Sequence, residues 1–132
     1  MTFVIDASAA VEYLVRTPLG LKVAEVIEGA LLIAPQLLDV EVMSVLRNAV
    51  LGKRLEEQRA LLALQDLRAW PLDRISHSRL IGQAWQHRHN VTAYDAFYVA
   101  AARIYEVPLL TADGPLSRAT SLGIVVHNIR LA

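Results

Sequence analysis

Cysteine is absent from the 132 residues, which excludes a disulfide scaffold, cysteine-ligated zinc and a thiol nucleophile. Lysine is scarce. Lys22 and Lys53 are the only two, and arginine supplies the rest of the 13 basic residues. Thirteen acidic residues balance them to a formal net charge of zero. A strongly basic nucleic-acid binder is therefore excluded on net charge, although a local basic patch is not. No apolar run approaches the ~20 residues that a spanning helix requires. The most apolar stretches are short or carry acids, as between Leu37 and Leu46. The opening residues lack a basic segment and include Asp6 and Glu12, so no signal peptide and no membrane association are expected, and a cytoplasmic location is. A P-loop is excluded too, since no glycine-rich loop ends in Lys-Ser/Thr.

What the chain has in quantity is apolar residues, at 55%, against 20% charged. That excludes global disorder. The length fits one domain, residues 1–132, able to bury a core without staples. The apolar surplus points to an additional face for self-association.

Strand-like runs are expected at Thr2–Ile5, Leu31–Ala34, Trp70–Ile75, Val107–Thr111 and Ile124–His127. Pro71 places the third of these at a sheet edge. Helices are expected at Ser8–Val15, Pro18–Glu28, Gln36–Leu51, Glu56–Arg68, Ser76–His89 and Thr92–Tyr105, with a short one at Gly114–Ala119. In Gln36–Leu51 the apolar face is Leu38, Val42, Val45, Leu46 and Ala49. Alternation of strands and helices predicts an α/β three-layer sandwich around a mostly parallel sheet.

Such a sheet binds ligands beyond the carboxyl ends of its strands. Asp6 directly follows the first strand, and Asp113 stands two residues after Thr111 at the end of the fourth. Glu41 lies at the margin of an apolar helical stripe. Asp95 opens the helix Tyr94–Arg103, which is almost wholly apolar behind it and so must be central. Each acid also has a plain structural use. Asp6 can cap a helix, Asp95 stands at capping-box spacing from Thr92, Asp113 suits a turn before Gly-Pro, and Glu41 can face solvent. Four carboxylates converging on one edge would repel one another unless a positive group lay among them. No lysine is near in sequence, so a divalent cation that favours oxygen ligands is the natural candidate.

These residues carry a resemblance. FVIDASAAV, LDVEVMSVLRNAV, TAYDAFYVAAA and LLTADGPLSRA match, in order and spacing, the PIN-domain ribonucleases, and more narrowly the VapC-type toxins of bacterial type II toxin–antitoxin systems. The match runs over nearly the whole chain, with all four acids present. The resemblance implies a five-stranded parallel sheet of order 3-2-1-4-5 flanked by helices. It implies endonucleolytic RNA cleavage to a 5′-phosphate and a 3′-hydroxyl, with Mg²⁺ or Mn²⁺ on Asp6, Glu41, Asp95 and Asp113 as metal ligands and catalytic acids. Ser8 and Thr111 match positions that place a hydroxyl beside those acids. The implied partners are an RNA substrate, a second copy of the chain and a VapB-type antitoxin, through which alone DNA would be contacted.

Arg47 and Arg118 follow Glu41 and Asp113 closely enough to rim a pocket and touch RNA. Tyr94 is a candidate for base stacking, whereas Phe97 and Tyr98 read as core. His87 and His89, two apart, do not share a helical face and make no zinc site. An antitoxin helix would need a groove, for which Val11, Leu14, Leu38, Val42, Leu61 and Leu64 are candidates. Two other readings compete with the toxin. One is a PIN-like protein that only binds RNA or a partner, and the other is a housekeeping RNA-processing nuclease.

Overall fold

The computed structural model describes residues 1–114, 116 and 122–131. Five strands form one parallel sheet: β1 (Thr2–Ile5), β2 (Leu31–Pro35), β3 (Asp73–Ile75), β4 (Leu109–Thr111) and β5 (Val126–Asn128). Their order is β3-β2-β1-β4-β5, as the resemblance implies. Val4, Ile5, Ile33, Ala34, Leu109 and Leu110 are all buried, as expected of strands covered on both faces. Among the described residues six α-helices surround them: α1 (Ala7–Val15), α2 (Pro18–Ile27), α3 (Leu37–Leu51), α4 (Glu57–Ala69), α5 (His77–Trp85) and α6 (Ala93–Tyr105). The expected short helix at Gly114–Ala119 falls largely outside the described residues.

Proline sets several of the differences from the sequence reading. β3 starts only at Asp73, after Pro71, and stands at the sheet edge. Trp70 leaves α4 to stack on Tyr13, with ring centroids 5.0 Å apart. β4 likewise starts after Pro108, which has no N–H to give a ladder. The apolar stripe of α3 buries Leu37, Leu38, Val42 and Leu46, but Val45 turns outward.

The turn from α1 to α2 is built by sequence. Arg16 takes a left-handed conformation to end α1, and the Thr17 side chain caps α2. At Gly20 a Cβ would lie 2.0 Å from the Glu12 carbonyl oxygen, so only glycine permits the two helices to approach so closely. α6 packs across β1, β2 and β4, the central position expected from its composition. The candidate groove residues Leu14, Leu38 and Val42 prove to be core, while Leu61 is exposed. Helical periodicity alone does not distinguish a groove from a core.

Candidate active site

The register of the sheet sets the first acid. Ile5 pairs with Leu110, and the Asp6 amide donates to the Leu110 carbonyl at 3.1 Å. Asp6 therefore stands one residue past the ladder, next to the end of β4. It also caps α1: Oδ1 accepts from the Ala9 amide at 3.1 Å and from the Ser8 hydroxyl at 2.7 Å. Oδ2 accepts from the Thr111 hydroxyl. The capping role is thus real, and it coexists with the position at the sheet edge. Asp6 is only 3% exposed, and burial pushes its carboxyl up to about 6, against the pull of these donors.

Thr111 and Ser8 tie the two strand ends together. Their hydroxyls lie 3.2 Å apart. Ser8 accepts from the Ala112 amide at 2.9 Å, and Thr111 from the Asp113 amide at 2.9 Å. The Arg130 guanidinium then donates to the Ala112 carbonyl at 2.7 Å, and the Asn128 amide reaches the Asp113 carbonyl at 3.4 Å. Asp113 is held by its backbone from both sides.

Glu41 and Asp95 come from the helices. Thr92 caps α6, its hydroxyl accepting from the Asp95 amide at 3.2 Å. Three residues beyond Asp95, the Tyr98 hydroxyl donates to Glu41 Oε1 at 2.6 Å. Burial raises the carboxyls of Glu41 and Asp95 above their usual range, and neighbouring acids add to this: Asp95 acts on Glu41, and Asp113 on Asp95. Burial and the Glu41 carboxylate push the Tyr98 phenol far up as well, so it remains a proton donor.

All four acids line one open pocket of about 250 Å³, together with Ser8, Ser44 and Tyr98. No basic side chain among the described residues lines it. The contrast with Asp39, two residues before Glu41, is instructive. Asp39 receives the Arg74 guanidinium through two bonds of 2.7 and 2.9 Å, whereas the pocket acids have no such partner among the described residues. Among the described residues no group of three acidic or histidine side chains is drawn together tightly enough to hold an ion as it stands. The donor chemistry nevertheless suits a hard cation: oxygen ligands only, partly desolvated, mutually repelling and without a counter-charge among the described residues.

A family model described as PIN domain matches residues 3–122. The chain is 41% identical over 129 residues to Ribonuclease VapC1 of Mycobacterium tuberculosis, covering 96% of this chain and 97% of that protein. The chain belongs to the PIN-domain family, in its VapC type. Ribonuclease VapC12 of the same organism is 36% identical over 115 residues, with 87% and 89% of the two chains covered. Among solved structures, VapBC2 from Rickettsia felis, bound to a DNA fragment from their promoter, superposes with TM-score 0.63 at 13% identity, over 97% of this chain and 98% of the other. FitAcB from Neisseria gonorrhoeae does so at 0.58 and 13%, over the full length of both. At those identities the likeness is one of PIN fold.

The structure therefore brings Asp6, Glu41, Asp95 and Asp113 together and sets Ser8 and Thr111 beside Asp6. It does not bring Arg47 there: Arg47 is exposed and donates to its neighbour Asn48 at 3.3 Å. Arg118 lies outside the described residues. Tyr98 and Ser44 were missed as pocket residues. Each stands three positions after an acid, on the same helical face, and that spacing was the available signal. Tyr98 is core as expected, but its hydroxyl belongs to the pocket.

Proposed function

We propose that this PIN domain, taken as residues 1–132, is a divalent-metal-dependent endoribonuclease. It acts in the cytoplasm as the toxin of a toxin–antitoxin pair, with Asp6, Glu41, Asp95 and Asp113 as its metal-binding, catalytic acids. The observation that carries this reading is the convergence of four carboxylates on one pocket that no basic residue among the described ones lines. The names of its relatives, Ribonuclease VapC1 and Ribonuclease VapC12, support the activity. That of the VapBC2 structure supports a VapB-type partner.

Mg²⁺, with Mn²⁺ as a substitute, fits an all-oxygen donor set. When bound, such an ion supplies water activation and neutralisation of the charge that develops on a phosphoryl group. The chain's own residues do the rest. A carboxylate offers about four lone-pair positions, and Ser8, Ala9 and Thr111 occupy three of those on Asp6. The fourth receives no donor among the described residues, so Asp6 would be able to hold an ion. Ser8 and Thr111 thereby orient Asp6 rather than touch RNA. Glu41, Asp95 and Asp113 complete the ligand wall from α3, α6 and the end of β4. Arg47, exposed on α3, and Arg118 are the proposed contacts to RNA phosphates. Exposed Val40 and Met43 on α3 and Ile81 and Trp85 on α5 support a homodimer. No helix among the described residues is long and apolar enough to cross a membrane.

The test is cleavage of RNA by the purified protein. We expect cleavage with Mg²⁺ or Mn²⁺ and none with EDTA. Asp6→Asn, Glu41→Gln, Asp95→Asn and Asp113→Asn should each lose at least ~tenfold while remaining folded. Expression in cells should arrest growth unless Asp6→Asn is introduced or the antitoxin is co-expressed. Harmless expression of an active enzyme would leave a housekeeping ribonuclease, and near-normal cleavage by Asp6→Asn would remove the metal site.

A further inference from the structure

Tyr98 is 1% exposed and packed in the centre of α6. Phenylalanine would fill the same space, so packing does not explain the hydroxyl. A buried phenol without a partner costs free energy, and the partner found here is a pocket carboxylate 57 residues away in sequence. The bond length of 2.6 Å is that of a charge-assisted O–H···O⁻ bond. It joins α6, which carries Asp95, to α3, which carries Glu41. No second hydrogen bond to the Glu41 carboxylate occurs among the described residues. The long Glu41 side chain thus depends on Tyr98 for its orientation, while Asp6 has three donors.

Resting on the reading of this pocket as a cation site, we propose that Tyr98 is a positioning residue of the acidic centre. Its hydroxyl holds one oxygen of Glu41, presents the other to the pocket and sets the two helical walls against each other before a cation arrives. The entropy of ordering Glu41 is then spent in folding rather than in binding.

Mn²⁺ binding measured by calorimetry without RNA tests this in four proteins: wild type, Tyr98→Phe, Glu41→Gln and the double variant. Tyr98→Phe should bind Mn²⁺ ~tenfold more weakly, the scale of one charge-assisted bond. In the Glu41→Gln background it should cause no further loss beyond about twofold, because residues acting through one another are not additive. Near-UV circular dichroism checks that the fold is kept, and Tyr98→Met serves for the same comparison if Tyr98→Phe does not fold. Wild-type affinity in Tyr98→Phe, with Glu41→Gln weakened, would overturn the positioning role and leave the cation site intact. So would losses that multiply in the double variant. If Glu41→Gln binds Mn²⁺ as the wild type does, or neither binds it, the reading of the pocket fails and the proposal with it.

Discussion

Asp6 sits on the sheet side of the pocket with three donors drawn from α1 and β4, whereas Glu41, on the helical side, receives among the described residues the Tyr98 hydroxyl alone. The sheet wall is further cross-tied by Ser8 to Ala112, Thr111 to Asp113 and Arg130 to Ala112. On the helical wall, Thr92 fixes the backbone at Asp95. The difference teaches where the free energy of the site resides. A buried, well-held carboxylate carries the larger electrostatic cost, and a half-buried carboxylate on a helix carries the larger freedom of movement.

The largest expected effect on stability follows from that cost. Asp6 has its folded-state value raised from 3.8 to about 6, so the native state binds its proton more tightly than the unfolded chain does. Its contribution is most favourable below about pH 4 and is lost as pH rises through 6. At neutral pH this costs ~3 kcal/mol, of which roughly half is recovered at pH 5. Denaturant unfolding without metal should therefore show greater stability at pH 5 than at pH 7.5. Asp6→Asn should flatten the profile more than Glu41→Gln, although Glu41 and Asp95 shift in the same direction. Equal flattening by both would erase the distinction between the walls.

A cation offsets the repulsion on both walls together. At ~100 times its dissociation constant, Mg²⁺ or Mn²⁺ should stabilise the fold by ~2.7 kcal/mol, read as a rise in melting temperature. The rise should be lost in Asp6→Asn and reversed by EDTA. A melting curve indifferent to millimolar metal would count against a site that fills without RNA.

Much of the sheet wall was legible in the sequence, and little of the helical wall's internal geometry. Asp6 and Asp113 could be placed because each closely follows an apolar strand, and parallel topology brings strand ends together. Glu41 and Asp95 were recognisable from helical position and family motif. The Tyr98–Glu41 bond was not, because it depends on how two helices distant in sequence cross, which no local pattern encodes. The outward turn of Val45 escaped for the same reason, and the same periodicity that marked Leu38 and Val42 as an apolar face left open whether they, with Leu14, lined a groove or the core. The tie from Arg130 to the Ala112 carbonyl depends on a backbone acceptor, which has no residue signature at all.

The smallest effect sharpens the comparison from the sheet side. Thr111→Val removes one of the three donors to Asp6 and leaves Oδ2 short of a partner, at a cost of ~2 kcal/mol at neutral pH. Burial then pushes the Asp6 carboxyl further up, so the loss should shrink in acid, where the group is protonated. Because Ser8 and Ala9 remain, Mn²⁺ affinity should fall less than in Tyr98→Phe. A larger fall would show the sheet wall to be the more fragile.

Calorimetric titration of Mn²⁺ at pH 6, in two buffers of different ionisation enthalpy, measures affinity and proton release together. The acidic pocket predicts binding that expels protons from its raised carboxyls, less expulsion at pH 8, and loss of both binding and proton release in the Asp6→Asn Asp95→Asn double variant. Unchanged Mn²⁺ affinity in that variant, with RNA cleavage intact, would place the catalytic metal elsewhere and contradict the account.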